Sequence, residues 1–336
     1  MSLPPVEIPL GAIRFNSDSQ KLEYFNGDVW MQTHTFSPDL NGGSRGVAGG
    51  GNDGSYVNTI DYWTIPTQGN AVDFGDRTVS LYAEACASNT RGLFGGGVYT
   101  NTLDYITISS TGNAADFGDL SFAPGEGGAG SNQTRGIWAG GYSTSPNAQR
   151  NIISSVTIAS TGNGIDFGDL TRACTGCACS ASPTMLLTAA GQQDGGNSHD
   201  NIIDFVYIAT TGNAQDFGDI TSNYLVNLGG TGSTTRALWM GGGIAAPTYA
   251  AQSVMDYVTF TTKGNATNFG DLRIATNHTS ATSDCVRGMI AGGSNSDTDL
   301  IQYVTIATEG DSVDFGNLTV GRYGAGVTSN GHGGLG

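Results

Sequence analysis

The sequence predicts an all-β fold, a closed six-bladed β-propeller with four short antiparallel strands in each blade. Three observations lead to this prediction. A Gly-Asn-Ala-x-Asp-Phe-Gly phrase, or a close variant of it, occurs six times. The phenylalanines of successive copies lie 43, 50, 50, 52 and 46 residues apart, which matches the length of a propeller blade. No segment has a 3.6-residue apolar period long enough for a helix.

Each repeat unit is expected to contain four strands in a fixed order. The first is built from small residues, as in 83–88 and 173–181, because bulky side chains do not fit near the axis of a propeller. The second strand occupies residues 45–50, 91–96, 135–141, 185–191, 236–242 and 287–293. The third strand occupies residues 60–65, 103–108, 153–158, 203–208, 255–260 and 301–306. The Asp-Phe-Gly phrase forms the fourth strand, and we expect its phenylalanine to fill the gap between blades.

Arginine begins the second strand in most units, whereas the fourth unit has Met185 there. A charge that recurs at one structural position favours hydrogen bonding between blades over catalysis. We therefore expect the side chains of Arg91, Arg135, Arg236 and Arg287 to donate to neighbouring blades.

The two ends of the chain break the repeat pattern. Residues 318–329 resemble a first strand, but no second strand follows them. The second strand at residues 45–50 has no first strand before it. We expect the C-terminal strand to join the first blade and close the ring, which removes an unpaired sheet edge. The propeller then spans residues 41–336, and residues 1–40 form a separate segment.

The repeat resembles the kelch class of propellers, in which a double glycine is followed by a spaced tyrosine and tryptophan. Tyrosine stands at the expected place in four units, as Tyr62, Tyr105, Tyr257 and Tyr303. The phenylalanine of Asp-Phe-Gly stands where kelch blades have tryptophan, so the chain resembles a kelch-like variant. The resemblance covers residues 41–336.

Residues 11–30 resemble a segment of bacteriophage virion proteins, especially tail fibres. Their apolar alternation by itself predicts a short β-hairpin. The repeat also resembles repeats in structural proteins of marine cyanobacterial phages. Together the resemblances imply a virion structural protein, either a tail fibre, a tail-tip part or a capsid decoration, assembled in the host cytoplasm. The residues expected to attach it are Ile13, Phe15, Leu22, Tyr24 and Trp30.

Partners follow from the same resemblances and from charge. The expected partners are other virion proteins, a host-surface glycan or protein, and further copies of the chain. The net charge is −16 with no basic run, which argues against nucleic acid. The sequence has no stretch of 18 apolar residues, so no membrane insertion is expected. The first residues lack a secretory signal pattern. Five cysteines do not suggest a disulfide framework, so a reducing compartment is expected.

Several motifs have a chemical and a structural interpretation. Asp-Phe-Gly is a kinase motif, but no lysine-bearing strand or His-Arg-Asp loop accompanies it. Residues 125–130 match a dinucleotide pattern without the strand-turn-helix context. Cys174, Cys177 and Cys179 are expected to lie in an axis-lining strand as small apolar residues. The repeated aspartate pairs form Asx turns or bind calcium, and both interpretations stay open. We expect no enzyme activity, no cofactor and no metal.

Loops between the second and third strands vary most in length, and such loops on a rigid scaffold commonly bind ligands. The candidate binding residues there are Tyr99, Tyr142, Pro146, His199, Pro247 and Tyr249. Ordinary exposed loops are the alternative. Two other functions stay open at this stage. One is a carbohydrate-binding lectin of bacterial origin, and the other is a copper-dependent oxidase, for which no suitable set of Tyr, His and Cys ligands is visible.

Overall fold

The computed structural model describes residues 8–16, 21–32, 44–145, 147–193, 200–222, 225–244, 250–294 and 299–335. These residues form an all-β protein with a 3₁₀ turn at Gly333–Leu335 and no α-helix. None of them belongs to a helix long and apolar enough to cross a membrane. The chain divides into two compact units, Met1–Gly43 and Ser44–Gly336.

The first unit contains a small antiparallel sheet of β1 (Ile13–Asn16), β2 (Lys21–Phe25) and β3 (Trp30–Gln32). Ile13 lies opposite Tyr24, and Phe15 lies opposite Leu22. The expected pairing of two strands is therefore present. The strand β3 was not anticipated, and it pairs Tyr24 with Met31. The turn predicted for the hairpin covers residues 16–19, of which residues 17–19 lie outside the described residues.

The described part of the second unit contains six sheets that share one four-strand antiparallel order. Sheet 1 includes β4 (Arg45–Gly49), β5 (Thr59–Thr64) and β6 (Val72–Asp76). Sheet 2 consists of β7 (Glu84–Ala87), β8 (Arg91–Gly95), β9 (Thr102–Thr107) and β10 (Ala115–Asp119). Sheet 3 consists of β11 (Gly128–Ser131), β12 (Arg135–Ala139), β13 (Tyr142–Thr144), β14 (Asn147–Thr157) and β15 (Ile165–Cys174), with β13 as a hairpin arm on β14.

Sheet 4 consists of β16 (Ala178–Ala181), β17 (Met185–Ala189), β18 (Ile202–Tyr207) and β19 (Gln215–Asp219). Sheet 5 consists of β21 (Gly229–Gly232), β22 (Arg236–Met240), β24 (Gln252–Thr259) and β25 (Thr267–Thr276), beside a two-stranded ribbon of β20 (Leu225–Val226) and β23 (Gly243–Ile244). Sheet 6 consists of β26 (Ser280–Ser283), β27 (Arg287–Ala291), β28 (Leu300–Thr305) and β29 (Val313–Asn317). Each of the six repeats thus has the strand order expected from the sequence.

The C-terminal strand β30 (Gly326–Ser329) completes sheet 1. It pairs antiparallel with β4, with Gly326 opposite Gly49 and Ser329 opposite Gly46. Asn330 extends the pairing because its Oδ1 accepts a hydrogen bond from the Arg45 N–H at 2.8 Å. The expectation that the tail supplies the missing first strand is confirmed, and the two ends of the unit share one sheet.

The phenylalanine of each Asp-Phe-Gly phrase packs between two sheets, as expected. Phe74 is 3% exposed and lies in one apolar cluster with Ile60 of sheet 1 and Phe94 of sheet 2. Phe117 lies in the corresponding cluster between sheets 2 and 3. Burying one such side chain contributes roughly 1.5–3 kcal/mol. The phrase therefore stabilises the contact between neighbouring sheets.

The Gly-Asn part of the phrase has its own role, which the sequence did not indicate. The Gly112 N–H donates to the Phe74 carbonyl at 2.8 Å, and Asn113 Oδ1 accepts from the Asp76 N–H at 3.1 Å. A Cβ on Gly75 would lie 2.6 Å from the Gly112 carbonyl, so glycine is required there. The same side-chain bond joins Asn163 to Asp119, Asn213 to Asp169, Asn265 to Asp219, Asp311 to Asp271 and Asn70 to Asn317.

The arginines that begin the second strands bind the neighbouring sheet, which confirms the expectation. Arg91 Nη1 donates to the Ile158 carbonyl at 3.0 Å, and Arg135 Nη1 donates to the Ile208 carbonyl at 2.7 Å. Equivalent bonds join Arg45 to Ile108, Arg236 to Ile306 and Arg287 to Ile65. Each guanidinium satisfies a carbonyl at the end of a third strand.

Buried aspartates on the third strands anchor the crossing from one sheet to the next. Asp61 accepts hydrogen bonds from Thr319 and pairs with Arg322 at 2.9 Å, and both charged side chains are fully buried. The pairs Asp104 with Arg77 and Asp204 with Arg172 repeat this arrangement in sheets 2 and 4. Each pair joins a third strand to the segment that enters its own sheet.

Replacing Arg322 with alanine is expected to lower the free energy of unfolding by about 3–5 kcal/mol, because Asp61 then stays buried without its partner. The pair of Arg273 with Asp314 is a matched control, since its side chains are 52% and 54% exposed. Arg273→Ala is expected to cost only about 0–1 kcal/mol. Urea unfolding followed by circular dichroism measures both changes, and equal losses would contradict the assigned role of Arg322.

Candidate functional site

A cavity of about 630 Å³ is lined by residues of sheets 1 to 4 and of the connections between their strands. Its lining includes four tyrosines, one carboxylate and three amide side chains. The tyrosines are Tyr56, Tyr82, Tyr99 and Tyr142, the carboxylate is Glu126, and the amides are Asn147, Gln149 and Gln192. Its size falls within the usual range for small-molecule sites. We call it the tyrosine cavity.

The tyrosine rings are held in pairs at steep angles. Tyr56 meets Tyr82 edge to face, with centroids 5.2 Å apart and an angle of 84°. Tyr99 and Tyr142 have centroids 5.9 Å apart at 58°. Tyr82 also packs against Tyr323, with ring centroids 5.6 Å apart, and Tyr323 does not line the cavity. Such tilted and edge-to-face contacts are favoured by the ring quadrupoles.

Backbone geometry places Tyr99 and Tyr142 at the cavity. Tyr99 adopts φ 51°, an uncommon conformation for a non-glycine residue. Gly125 leaves room for its ring, because a Cβ there would lie 2.7 Å from Tyr99 Cε1. Tyr142 exchanges two backbone hydrogen bonds with Gly125, each at 2.7 Å, and its hydroxyl donates to Asn147 Oδ1 at 2.6 Å. The two rings are therefore positioned by the same short segment.

Glu126 provides the negative charge of the site. Its backbone is left-handed at φ 53°, and its carbonyl accepts a hydrogen bond from the Gly176 N–H at 2.6 Å. Burial raises the pKa of Tyr99, and the charge of Glu126 raises it further. Burial is also the main cause of a raised pKa at Tyr82, with contributions from Tyr323 and Glu126. The field of one carboxylate thus reaches both tyrosine pairs.

Glu126 belongs to a set of six equivalent residues, each two positions before the first strand of its sheet. The others are Tyr82, Gly176, Asn227, His278 and Gly324. Asn227 and His278 have left-handed backbones and hydrogen bond to each other through Nδ2 and Nε2 at 2.8 Å. Five of the six residues have a left-handed backbone, with Tyr82 as the exception, while the side chain differs from sheet to sheet. The chemistry of this position therefore varies on a similar scaffold.

A narrow cavity is lined by the first strands of all six sheets. Small side chains surround it, as expected for these strands, and examples are Ala129, Gly230 and Ala281. Next to it lies Glu84, whose pKa is raised well above its usual range by burial and by Glu126. His332 and Gly333 of the C-terminal segment line the narrow cavity beyond these strands.

The cysteine cluster is placed differently from the expectation. Cys179 lies in the first strand β16, but Cys174 ends β15 and Cys177 lies in the turn between them. The expectation of a single strand was wrong because the fourth strand β15 continues to residue 174. All three thiols are buried in the apolar contact between sheets 3 and 4. Burial raises the pKa of the Cys179 thiol to about 12.

The cysteines and the repeated aspartate pairs are the residues whose types could bind a metal ion. Among the described residues, no three His, Cys, Asp or Glu side chains are grouped so that they could hold a metal ion. In the Asp-Phe-Gly phrases, the first aspartate is exposed and the backbone of the second binds a neighbouring Gly-Asn turn.

The structure brings two of the six loop candidates together. Tyr99 and Tyr142 share the tyrosine cavity, whereas Pro146, His199, Pro247 and Tyr249 lie outside the described residues. Tyr56 and Tyr82 were missed because they lie in segments interpreted as plain connections, and Glu126 was considered only as part of the dinucleotide-like pattern at residues 125–130. Glu126 did carry a signal, since it interrupts a run of small residues before a first strand. The binding role of all these residues stays a prediction.

The five attachment candidates lie on the sheet of the first unit. Ile13, Phe15, Leu22 and Tyr24 form cross-strand pairs on one face, and they are 66%, 64%, 44% and 40% exposed. Trp30 lies under the Arg14 guanidinium, 4.2 Å from the ring centroid to Cζ. The first four side chains therefore present an exposed apolar face.

Comparison with known proteins gives no family for this chain. No protein-family model and no curated protein matches it.

The stability of the protein is expected to fall as the pH drops from about 6.5 to about 4, partly through His332. Burial lowers the pKa of His332 from 6.5 to about 4, and its Nε2 lies 2.9 Å from the Ala87 carbonyl while Nδ1 accepts from the Gly334 N–H. Between these pH values the unfolded chain binds a proton that the folded chain excludes, which costs at most about 3 kcal/mol.

Denaturant unfolding of the intact protein and of His332→Gln between pH 8 and pH 4 measures this effect. The glutamine is expected to flatten the pH dependence below pH 6.5, because it keeps polar groups at the site but does not titrate. Parallel curves for the two proteins would show that His332 does not contribute.

Proposed function

We propose that residues 44–336 form a closed, six-bladed, kelch-like β-propeller in which each sheet is one blade. Three sets of contacts support this. The first strands touch in a cyclic order, β7 with β11, β11 with β16, β16 with β21, β21 with β26, β26 with β30 and β30 with β7. The arginine bonds lead from five of the six sheets to the next, with sheet 4 as the exception, and Arg287 of sheet 6 reaches Ile65 of sheet 1. Asn70 of sheet 1 binds Asn317 of sheet 6 in the same way as the other Gly-Asn turns.

Deleting residues 317–336 is expected to open this ring and lower the melting temperature sharply, because β4 loses its partner and becomes a free edge. The deletion also removes Arg322, so Arg322→Ala in the intact chain is the control. We expect the deletion to lower the melting temperature well beyond the effect of that substitution. A truncated chain that melts like the intact protein would contradict ring closure.

We propose that the protein is a phage virion structural component that presents the propeller for binding, as a tail fibre, a tail-tip part or a capsid decoration. The tyrosine cavity is the observation that carries the binding role, since four rings and a carboxylate converge on one site of ligand size. The virion assignment rests on the resemblance of residues 11–30 and of the repeats to phage structural proteins.

The exposed apolar face of the first unit supports an attachment role for residues 1–40. Ile13 and Phe15 are both more than 60% exposed, although apolar groups of this size are normally covered. A neighbouring virion protein or further copies of the chain would cover this face, and the propeller would meet the host surface or another virion protein.

Immunogold electron microscopy tests the virion assignment. Antibodies raised against residues 44–336 are expected to label particles purified from a lysate of the source culture, and to detect the chain in the particle fraction of a density gradient. Pre-immune serum is the control. Signal confined to the soluble fraction, with unlabelled particles, would contradict the proposal.

A carbohydrate-binding lectin is the second candidate, and the amide side chains that line the tyrosine cavity favour it. Asn147, Gln149 and Gln192 place amide groups beside tyrosine rings, and such groups suit the hydroxyls and C–H faces of a sugar. A lectin would bind glycans in solution and be absent from particles, so the labelling experiment separates the two candidates.

A further inference from the structure

The tyrosine rings suit an enclosed ligand group better than a flat one. The pairs meet at 84° and 58°, so their faces are not parallel and do not form a slot for a planar ring. Tyr56 and Tyr99 are 44% and 47% exposed, which leaves ring surface available to a ligand. Rings that converge at different angles can surround a compact, rounded group.

The charge of the cavity selects the sign of that group. Glu126 is a carboxylate in the lining, and no arginine or lysine of the described residues lines the cavity or pairs with Glu126 within 4.0 Å. Burial is the main cause of the raised pKa values of Tyr82 and Tyr99, and the charge of Glu126 contributes to both. The faces of tyrosine rings are themselves electronegative. An anionic ligand is therefore disfavoured and a cation is favoured.

Nine of the lysines and arginines of the second unit have partners other than Glu126. Five arginines bind carbonyls between sheets, and Arg77, Arg172 and Arg322 are buried against aspartates. Lys263 lies over the Phe205 ring at 4.1 Å. The charge of Glu126 also acts on His278, but burial lowers the pKa of that ring and favours its neutral form. The charge of Glu126 is therefore left for a ligand to neutralise.

We propose that the tyrosine cavity binds an organic ammonium group, with Glu126 as counter-ion and with Tyr56, Tyr82, Tyr99 and Tyr142 as cation–π partners. The inference rests on the proposed function in taking this cavity as the ligand site. Cation–π contacts with several rings recognise quaternary ammonium groups in particular, since such a group is weakly hydrated and donates no hydrogen bonds.

The cavity volume implies that the ligand is larger than its ammonium group. About 630 Å³ exceeds what a trimethylammonium group fills, and Asn147, Gln149 and Gln192 also line the cavity. These amides would contact the uncharged remainder of the ligand, for example a polar headgroup or a glycan that carries a choline substituent. The ammonium supplies affinity through Glu126 and the rings, and the amides supply selectivity.

Isothermal titration calorimetry with the full chain tests the inference, with choline and tetramethylammonium as probes. The uncharged isostere 3,3-dimethylbutan-1-ol has the shape of choline without its charge and serves as the matched ligand control. We expect both cations to bind saturably and the isostere to bind at least about tenfold more weakly, the ratio that corresponds to about 1.4 kcal/mol.

Two variants and two controls assign the residues. Glu126→Gln and Tyr99→Leu are each expected to weaken choline binding by about fivefold or more. Glu309→Gln and Tyr207→Leu replace an exposed glutamate and an exposed tyrosine outside the cavity, and they are expected to leave binding unchanged. Melting curves of all four variants establish that each is folded.

Three results would overturn the inference. The first is equal binding of choline and its isostere, which would leave only apolar burial. The second is binding of neutral sugars that survives Glu126→Gln, which would favour a lectin without a cation site. The third is the absence of saturable binding of either cation to the folded protein. None of these results depends on whether antibodies label particles, so a failure here is distinguishable from a failure of the virion assignment.

Discussion

The contact between neighbouring sheets is the interaction on which the second unit depends. A four-stranded sheet of this size buries too little apolar surface to be stable alone. The phenylalanine of each Asp-Phe-Gly phrase fills the space between two sheets, and the adjacent Gly-Asn turn binds its backbone. The phenylalanine and the Gly-Asn turn of the repeated phrase therefore both contribute to the contacts between neighbouring sheets. This explains why the whole phrase recurs, including its polar residues.

Exceptions to the repeat are as informative as the repeat. Buried Asp–Arg pairs occur in sheets 1, 2 and 4, whereas sheets 3 and 6 have Ser154 and Gln302 at the aspartate position. The neutral residues avoid the cost of removing a charge from water, and they still accept hydrogen bonds from the entering segment. The residue at this position thus accepts hydrogen bonds from the entering segment in each of these sheets, whether or not it carries a charge.

The tyrosine cavity arises from the same combination of constancy and variation. The residue two positions before each first strand occupies the same place in all six sheets, and its backbone is left-handed in several of them. Its side chain, however, ranges from glycine to glutamate and tyrosine. Because neighbouring sheets hold these positions close together, differences in single residues combine into one local site. Glu126 and Tyr82 meet there with Tyr56, Tyr99 and Tyr142 from the longer loops.

The sequence by itself determined the strand order, the pairing of the C-terminal strand with β4, the role of the recurring arginines and the position of Phe74 and its equivalents. These features follow from local pattern, because strand period, turn residues and repetition are written in consecutive residues. The extension of β15 to Cys174, the Gly-Asn contacts and the buried Asp–Arg pairs appeared only in the tertiary structure. The same is true of the cavity, because Tyr56, Tyr82, Tyr99, Glu126 and Tyr142 come from different repeats. Their proximity depends on packing between sheets, which no single repeat encodes.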